Sequence, residues 1–132
     1  MKKRTIKFLY SVAAVLFLLL TAALPAEAAQ NWMQVYAHVE QMINKGVEQY
    51  NNGDLEGAKK IINDSYYGVY ENDGLEKAIR TTISSKNANL TEYQYSELKK
   101  AIRENRGKDA VRGEADLSLI HISEPTRPLY IS

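Results

Sequence analysis

The chain has 132 residues, with 17 Lys and Arg against 16 Asp and Glu, 45% hydrophobic residues and no cysteine. Without cysteine there is neither a disulfide framework nor a thiolate metal site, and without a basic block to neutralise phosphates the chain does not read as a nucleic-acid binder. Residues 29–116, between two atypical ends, carry 12 basic and 14 acidic residues for a net charge of −2, and suffice for one small domain whose core is near the size where packing alone is marginal.

The N-terminus has the layout of an export signal. Met1-Lys2-Lys3-Arg4 and Lys7 form a positive start, residues 8–24 are mostly apolar, and Pro25-Ala26-Glu27-Ala28 supplies a helix break and an A-x-A cleavage pattern. A spanning helix usually needs about 20 apolar residues. This run is shorter and carries Tyr10, Ser11 and Thr21, so residues 1–28 are expected to be a cleaved signal peptide, with the exported chain starting at Ala29. No lipobox cysteine is present to tether it.

From there the periodicity is helical. Trp32, Val35, Tyr36, Val39, Met42, Ile43, Val47 and Tyr50 recur at three- and four-residue spacing, which predicts a helix over residues 31–52 with one buried stripe. Asn52-Gly53 suits the positive-φ stop of a helix, and Asp54 can cap the next one, making a tight helical hairpin. Leu55, Ala58, Ile61, Ile62, Ser65, Tyr66, Val69 and Tyr70 continue the pattern to Glu71, where Asn72-Asp73-Gly74 reads as a turn. A shorter third helix turns Leu75, Ala78, Ile79 and Ile83 inward. Residues 84–89 (SSKNAN) read as a polar connector, after which Thr91 and Gln94 have the spacing of a capping box and Leu90 and Tyr95 that of a hydrophobic staple. Tyr95, Leu98, Ala101 and Ile102 form the buried side of that fourth helix up to Arg106-Gly107, and a further helix can start at Asp109. Nothing has strand period. The expected fold is all-α, a small antiparallel bundle of about four helices.

The C-terminus is different in kind. Residues 117–132 (LSLIHISEPTRPLYIS) can be spelled, in frame over eleven residues, by the transposon end and primer site of a tagmentation library. Pro128-Leu129-Tyr130 fit an index, and Ile131-Ser132 the next adapter stretch. The segment is therefore read as adapter-derived rather than native, is set aside from fold reasoning, and is expected to add nothing to the fold. The exported helical domain is bounded at 29–116, truncated at its C-terminal end.

Few residues could carry chemistry. His38 flanks the apolar stripe and reads as a partly exposed helix residue rather than a base, and there is no phosphate loop, HExxH or EF-hand ladder, so the chain reads as a non-enzyme. The one constellation of interest is Asp64, Tyr67 and Glu71, at i, i+3 and i+7 on the polar flank of the second helix, with Glu76 across the turn. Carboxylate and phenolate oxygens are hard donors suited to Fe³⁺. Tyr66, Tyr67 and Tyr70 read more simply as core and rim than as a ligand cluster, and Lys59-Lys60 and Lys99-Lys100 as solvated helix faces.

The segments NNGDLEGAKKIIND (51–64), NDSYYGVYENDGLEKAIR (63–80) and YQYSELKKAIRENRG (93–107) together resemble the N-terminal extracytoplasmic region of the bacterial high-affinity iron permease family, related to the fungal oxidase-coupled iron transporters. The elements that carry the likeness are Asp54, Ala58-Lys59, Tyr66-Tyr67, Glu71 and Gly74-Leu75-Glu76, in that order and spacing. The resemblance implies a role in iron uptake, with iron as a transported or transiently bound ion rather than a tightly held cofactor. Transport in that family belongs to glutamates of an Arg-Glu-x-x-Glu motif on membrane helices, and no such motif occurs in this sequence. The implied partners are the chain's own missing transmembrane domain and other iron-uptake components. The implied location is the outer face of the cell membrane, with membrane association through a full-length parent. The alternative is an exported protein-binding or structural module without a metal role.

Overall fold

A computed structural model describes residues 31–131, and the expected signal peptide lies outside them. Among the described residues all regular structure is helical. Helix α1 (Trp32–Asn51) starts where the Asn31 side chain accepts a hydrogen bond from the Gln34 amide at 3.2 Å, and it buries Val35, Val39, Ile43, Val47 and Tyr50. Gly46 lies on the same stripe for a steric reason. A Cβ there would come within 2.7 Å of Ile62 Cδ1 and 2.9 Å of Ile61 Cγ2, so the missing side chain lets the second helix pack tightly against the first.

The predicted hairpin is present. Gly53 takes φ 86°, and Asp54 Oδ1 accepts from the Gly57 amide at 2.9 Å, opening α2 (Leu55–Asn63). The coil then widens to i→i+5 turns over Asp64–Glu71 and stops at Gly74, φ 85°. In the widened stretch Ser65, Tyr66, Val69 and Tyr70 are buried, and Ser65 Oγ donates to the Ile62 carbonyl at 2.8 Å, occupying an acceptor near the point where the coil opens. Helix α3 (Leu75–Ala78), extended by wide turns over Ile79–Ile83, buries Leu75 and Ile79.

Two sequence expectations need correction. Helix α4 (Ser85–Arg103) begins six residues before the capping box. Ser84 is its cap, with extended backbone and its hydroxyl accepting from the Asn87 amide at 3.1 Å, so the expected SSKNAN connector forms the cap and first turns. Ala88 is buried and carries the stripe of Thr91, Tyr95 and Leu98 back one turn, which makes the longer helix preferable. Thr91 and Gln94 are accordingly buried mid-helix residues, and Leu90 is exposed while Tyr95 is not, so no staple forms.

The second correction concerns residues 117–132, expected to add nothing to the fold. Helix α5 (Lys108–Ile131) crosses Asp116 without a break. It packs against α1 and α4 and closes the bundle with a fifth helix. Val111, Ala115, Ser118 and Ile122 are fully buried, with Leu119 and Leu129 against the core. Their three- and four-residue spacing makes an apolar stripe whatever the codons came from, and a stripe of that kind is driven onto any open apolar groove. Pro125 lies inside this helix and leaves the His121 carbonyl without its usual amide donor; the Thr91 hydroxyl, shared with the Asn87 carbonyl, reaches it at 3.0 Å. No helix among the described residues is long and apolar enough to cross a membrane.

The α4–α5 turn is fixed from a distance. Asn105 (φ 51°) and Gly107 (φ 102°) are left-handed, and the Tyr50 hydroxyl at the end of α1 donates to Asn105 Oδ1 at 2.6 Å while accepting from the Gly107 amide at 2.9 Å.

Deleting residues 117–132 is therefore expected to lower the melting temperature, and Ile122→Ala alone to cost about 2–4 kcal/mol, as for other buried aliphatic truncations. For a domain of this size that is a fall of roughly 10 °C or more. Thermal melts followed by circular dichroism check it; a deletion that leaves the transition in place would show that the tail is passive after all.

Candidate functional site

The widened turns of α2 and the middle of α4 bring four tyrosines together. Tyr66 packs edge-on against Tyr67 and against Tyr95, each with ring centroids 4.9 Å apart, and lies 5.6 Å from Tyr70, which in turn is 6.1 Å from Tyr95. Edge-to-face contacts of this kind add to the gain from burying the rings. Ser65 Oγ and the Tyr95 hydroxyl are 3.2 Å apart. Because Ser65 gives its proton to the Ile62 carbonyl, Tyr95 is the donor in that pair. The Tyr70 hydroxyl is buried without a hydrogen-bond partner.

Burial pushes the Tyr66, Tyr70 and Tyr95 phenols well above their ordinary range, and nearby carboxylates, Glu76 foremost, push Tyr66 and Tyr70 further. All three are neutral groups at physiological pH. Tyr66 and Tyr70 are core, as the sequence reading has them, and Tyr67 is rim, 57% exposed.

Asp64, Tyr67 and Glu71 all lie on the solvent side of the widened turns, as their spacing predicts. Their neighbours were not legible in the sequence. Asp64 Oδ2 is held by Lys60 Nζ at 2.6 Å, and Glu76 Oε1 by Arg80 at 2.8 Å, which also donates to Asn89 Oδ1 at 2.9 Å. The Lys99 ammonium sits 5.4 Å from the Tyr67 ring centroid and 5.7 Å from that of Tyr66. Two of the four candidate ligands are thus engaged by cations, a third has a cation over its ring, and Glu71 is exposed. Among the described residues no three His, Cys, Asp or Glu side chains converge as a metal would require. His38 is exposed on α1.

Sequence reasoning missed how the basic residues are used. Lys59 and Lys99 belong to a groove between α2 and α4, with Arg103 beside them. The signal was faint: Lys99 and Arg103 are one turn apart on the flank next to the Tyr95 and Leu98 stripe.

No family model, curated protein or solved structure matches the chain.

The raised phenols give a pH dependence of definite sign. Above pH 10 an unfolded tyrosine loses its proton while the buried one keeps it, so the folded state binds more protons and stability falls as pH rises. The contribution is complete below the ordinary value of 10.0 and is lost as pH climbs towards the folded value. Each fully buried phenol adds about 1.4 kcal/mol per pH unit to the slope. Urea unfolding between pH 8 and 11.5 should show the fall, and Tyr95→Phe, though less stable at pH 8, should show a shallower one. Equal slopes in the two proteins would contradict this.

Proposed function

We propose that this chain is the exported N-terminal helical module of an iron permease, meeting iron outside the membrane while transport itself belongs to a membrane domain encoded beyond Asp116. The observation that carries this reading is the joint placement of Asp64, Tyr67 and Glu71 on the solvent side of α2, within the segment whose order and spacing resemble the family. Three hard oxygen donors on an open face suit brief capture of Fe³⁺ and its release, since weak binding is what carboxylates and a phenol without a closed cage supply. On this reading the module is not an enzyme and holds no resident cofactor. Its partners are its own membrane domain and other components of iron uptake at the outer face of the cell membrane.

A second reading has an observation of its own. The Lys60–Asp64 and Arg80–Glu76 ion pairs satisfy two of the four donors internally, which favours an exported structural or protein-binding module with no metal role.

Titration with chelated Fe³⁺ separates the two. Ligation by Tyr67 gives a visible phenolate-to-iron charge-transfer band. Glu71→Ala and Tyr67→Phe should each weaken binding about tenfold, equivalent to ~1.4 kcal/mol, and Lys60→Gln, which frees Asp64, should strengthen it. No band, or no effect of the first two substitutions, returns these side chains to a solvated helix face and leaves the second reading standing.

A further inference from the structure

Three cations border one open groove. It lies between α2 and α4, has a volume of about 350 Å³, and is lined by Lys59, Asn63, Ser96, Lys99 and Arg103. None of the five is a carboxylate. Lys59 comes from α2, and Lys99 and Arg103 stand one turn apart on α4. Lys99 is held at the rim by the faces of Tyr66 and Tyr67, a cation–π arrangement that restrains a side chain otherwise free to swing into water. Lys59 is half-buried, and its partner Glu56, at 2.7 Å, is 85% exposed. Among the described residues neither Lys99 nor Arg103 forms an ion pair.

Lys59 already has Glu56 as a counter-charge, but Lys99 and Arg103 line the same groove without one, and like charges along a concave wall repel and strengthen the field they share. The dipole at the C-terminal end of α4 accounts for basic residues in its last turn, but not for Lys59 on the opposite helix or for the tyrosine seat under Lys99. An anion of matching charge relieves the repulsion.

We propose that this groove binds a compact organic oxyanion carrying two or more negative charges, either a phosphate monoester or a small polycarboxylate. The volume, at the small end of the range for organic ligands, leaves room for more than a bare ion. Arg103 offers a planar fork for two oxygens of one phosphate or carboxylate group, Lys59 and Lys99 are point charges on either side, and Asn63 and Ser96 supply neutral donors. The site is separate from the carboxylates of the iron reading and does not depend on it.

Calorimetric titration of the purified 132-residue chain with metal-free citrate, glycerol 3-phosphate, inorganic phosphate and acetate tests this. Citrate or glycerol 3-phosphate should bind saturably, at least tenfold more tightly than acetate and more tightly than inorganic phosphate, and the stronger of the two assigns the class. Lys99→Gln and Arg103→Gln should each weaken that binding about fivefold, the size expected for one charge-assisted contact at an exposed site. Glu56→Gln, which releases Lys59 towards the groove, should tighten it, whereas Lys86→Gln, on an exposed turn at the start of α4, should not change it. Circular dichroism confirms that each variant is folded. Binding that does not saturate, that is no stronger for multivalent anions than for acetate, or that falls as much in Lys86→Gln as in Lys99→Gln overturns the proposal.

Discussion

The packing of Tyr95 from α4 against Tyr66 and Tyr70 from α2 is the contact on which the functional surface depends. A ring of that size, with its hydroxyl reaching Ser65, demands room on α2, and room is what the widened turns over Asp64–Glu71 provide. Wide turns of this kind are rare and occur mostly as single-turn bulges within α-helices. Here burial of three tyrosine rings, with the edge-to-face contacts of Tyr66 to Tyr67 and Tyr95, favours the wider coil. The same packing leaves Tyr67 outside, where its ring and that of Tyr66 hold Lys99 at the edge of the groove. The metal-site candidates and the anion groove are therefore two sides of a single aromatic cluster.

Charge has been used locally. Lys60 and Asp64, Arg80 and Glu76, and Arg112 and Asp116 pair at i, i+4 along their own helices. Exposed pairs of this type contribute only a few tenths of a kcal/mol, so they do little for stability. What they do is neutralise carboxylates that would otherwise be open to a cation. Of the groove cations, Lys59 has such a partner in Glu56 whereas Lys99 and Arg103 have none among the described residues, and the molecule is consequently better prepared for an anion between α2 and α4 than for a metal on the flank of α2.

The sequence was most informative where local chemistry alone decides structure. The stripe of α1, the Asn52-Gly53-Asp54 hairpin and the stop at Gly74 could all be read directly, because a cap or a positive-φ glycine acts within a few residues. It misled at α4, where Thr91 and Gln94 match a capping box but Ser84 is an equally good cap and Ala88 extends the stripe behind it. Burial of one more turn, at Ala88, decided between two acceptable starts, and burial is a tertiary property. The widened turns were invisible for a related reason, since Ser65, Tyr66, Val69 and Tyr70 satisfy an ordinary helical stripe equally well. For the candidate site, the solvent side of Asp64, Tyr67 and Glu71 followed from spacing, whereas the Lys60 ammonium at Asp64 depends on side-chain reach and the Lys99 ammonium over Tyr67 on a separate helix. The adapter-like spelling of residues 117–132 speaks to their origin and not to their shape, and Leu119, Ile122 and Leu129 pack by their spacing as any such residues would.

The two hydrogen bonds of the Tyr50 hydroxyl carry a consequence for motion. Helices that end in left-handed turns ordinarily fray there first, each opening on its own. Asn105 and Gly107 are tied to a side chain that is itself buried at the end of α1, so loosening of the α4–α5 turn costs the hydrogen bonds that join it to α1. Segments 55 residues apart in sequence are thus coupled, and opening at one place raises the chance of opening at the other. The bundle is held at this end by one hydroxyl whose two hydrogen bonds link the last turn of α1 to the α4–α5 turn.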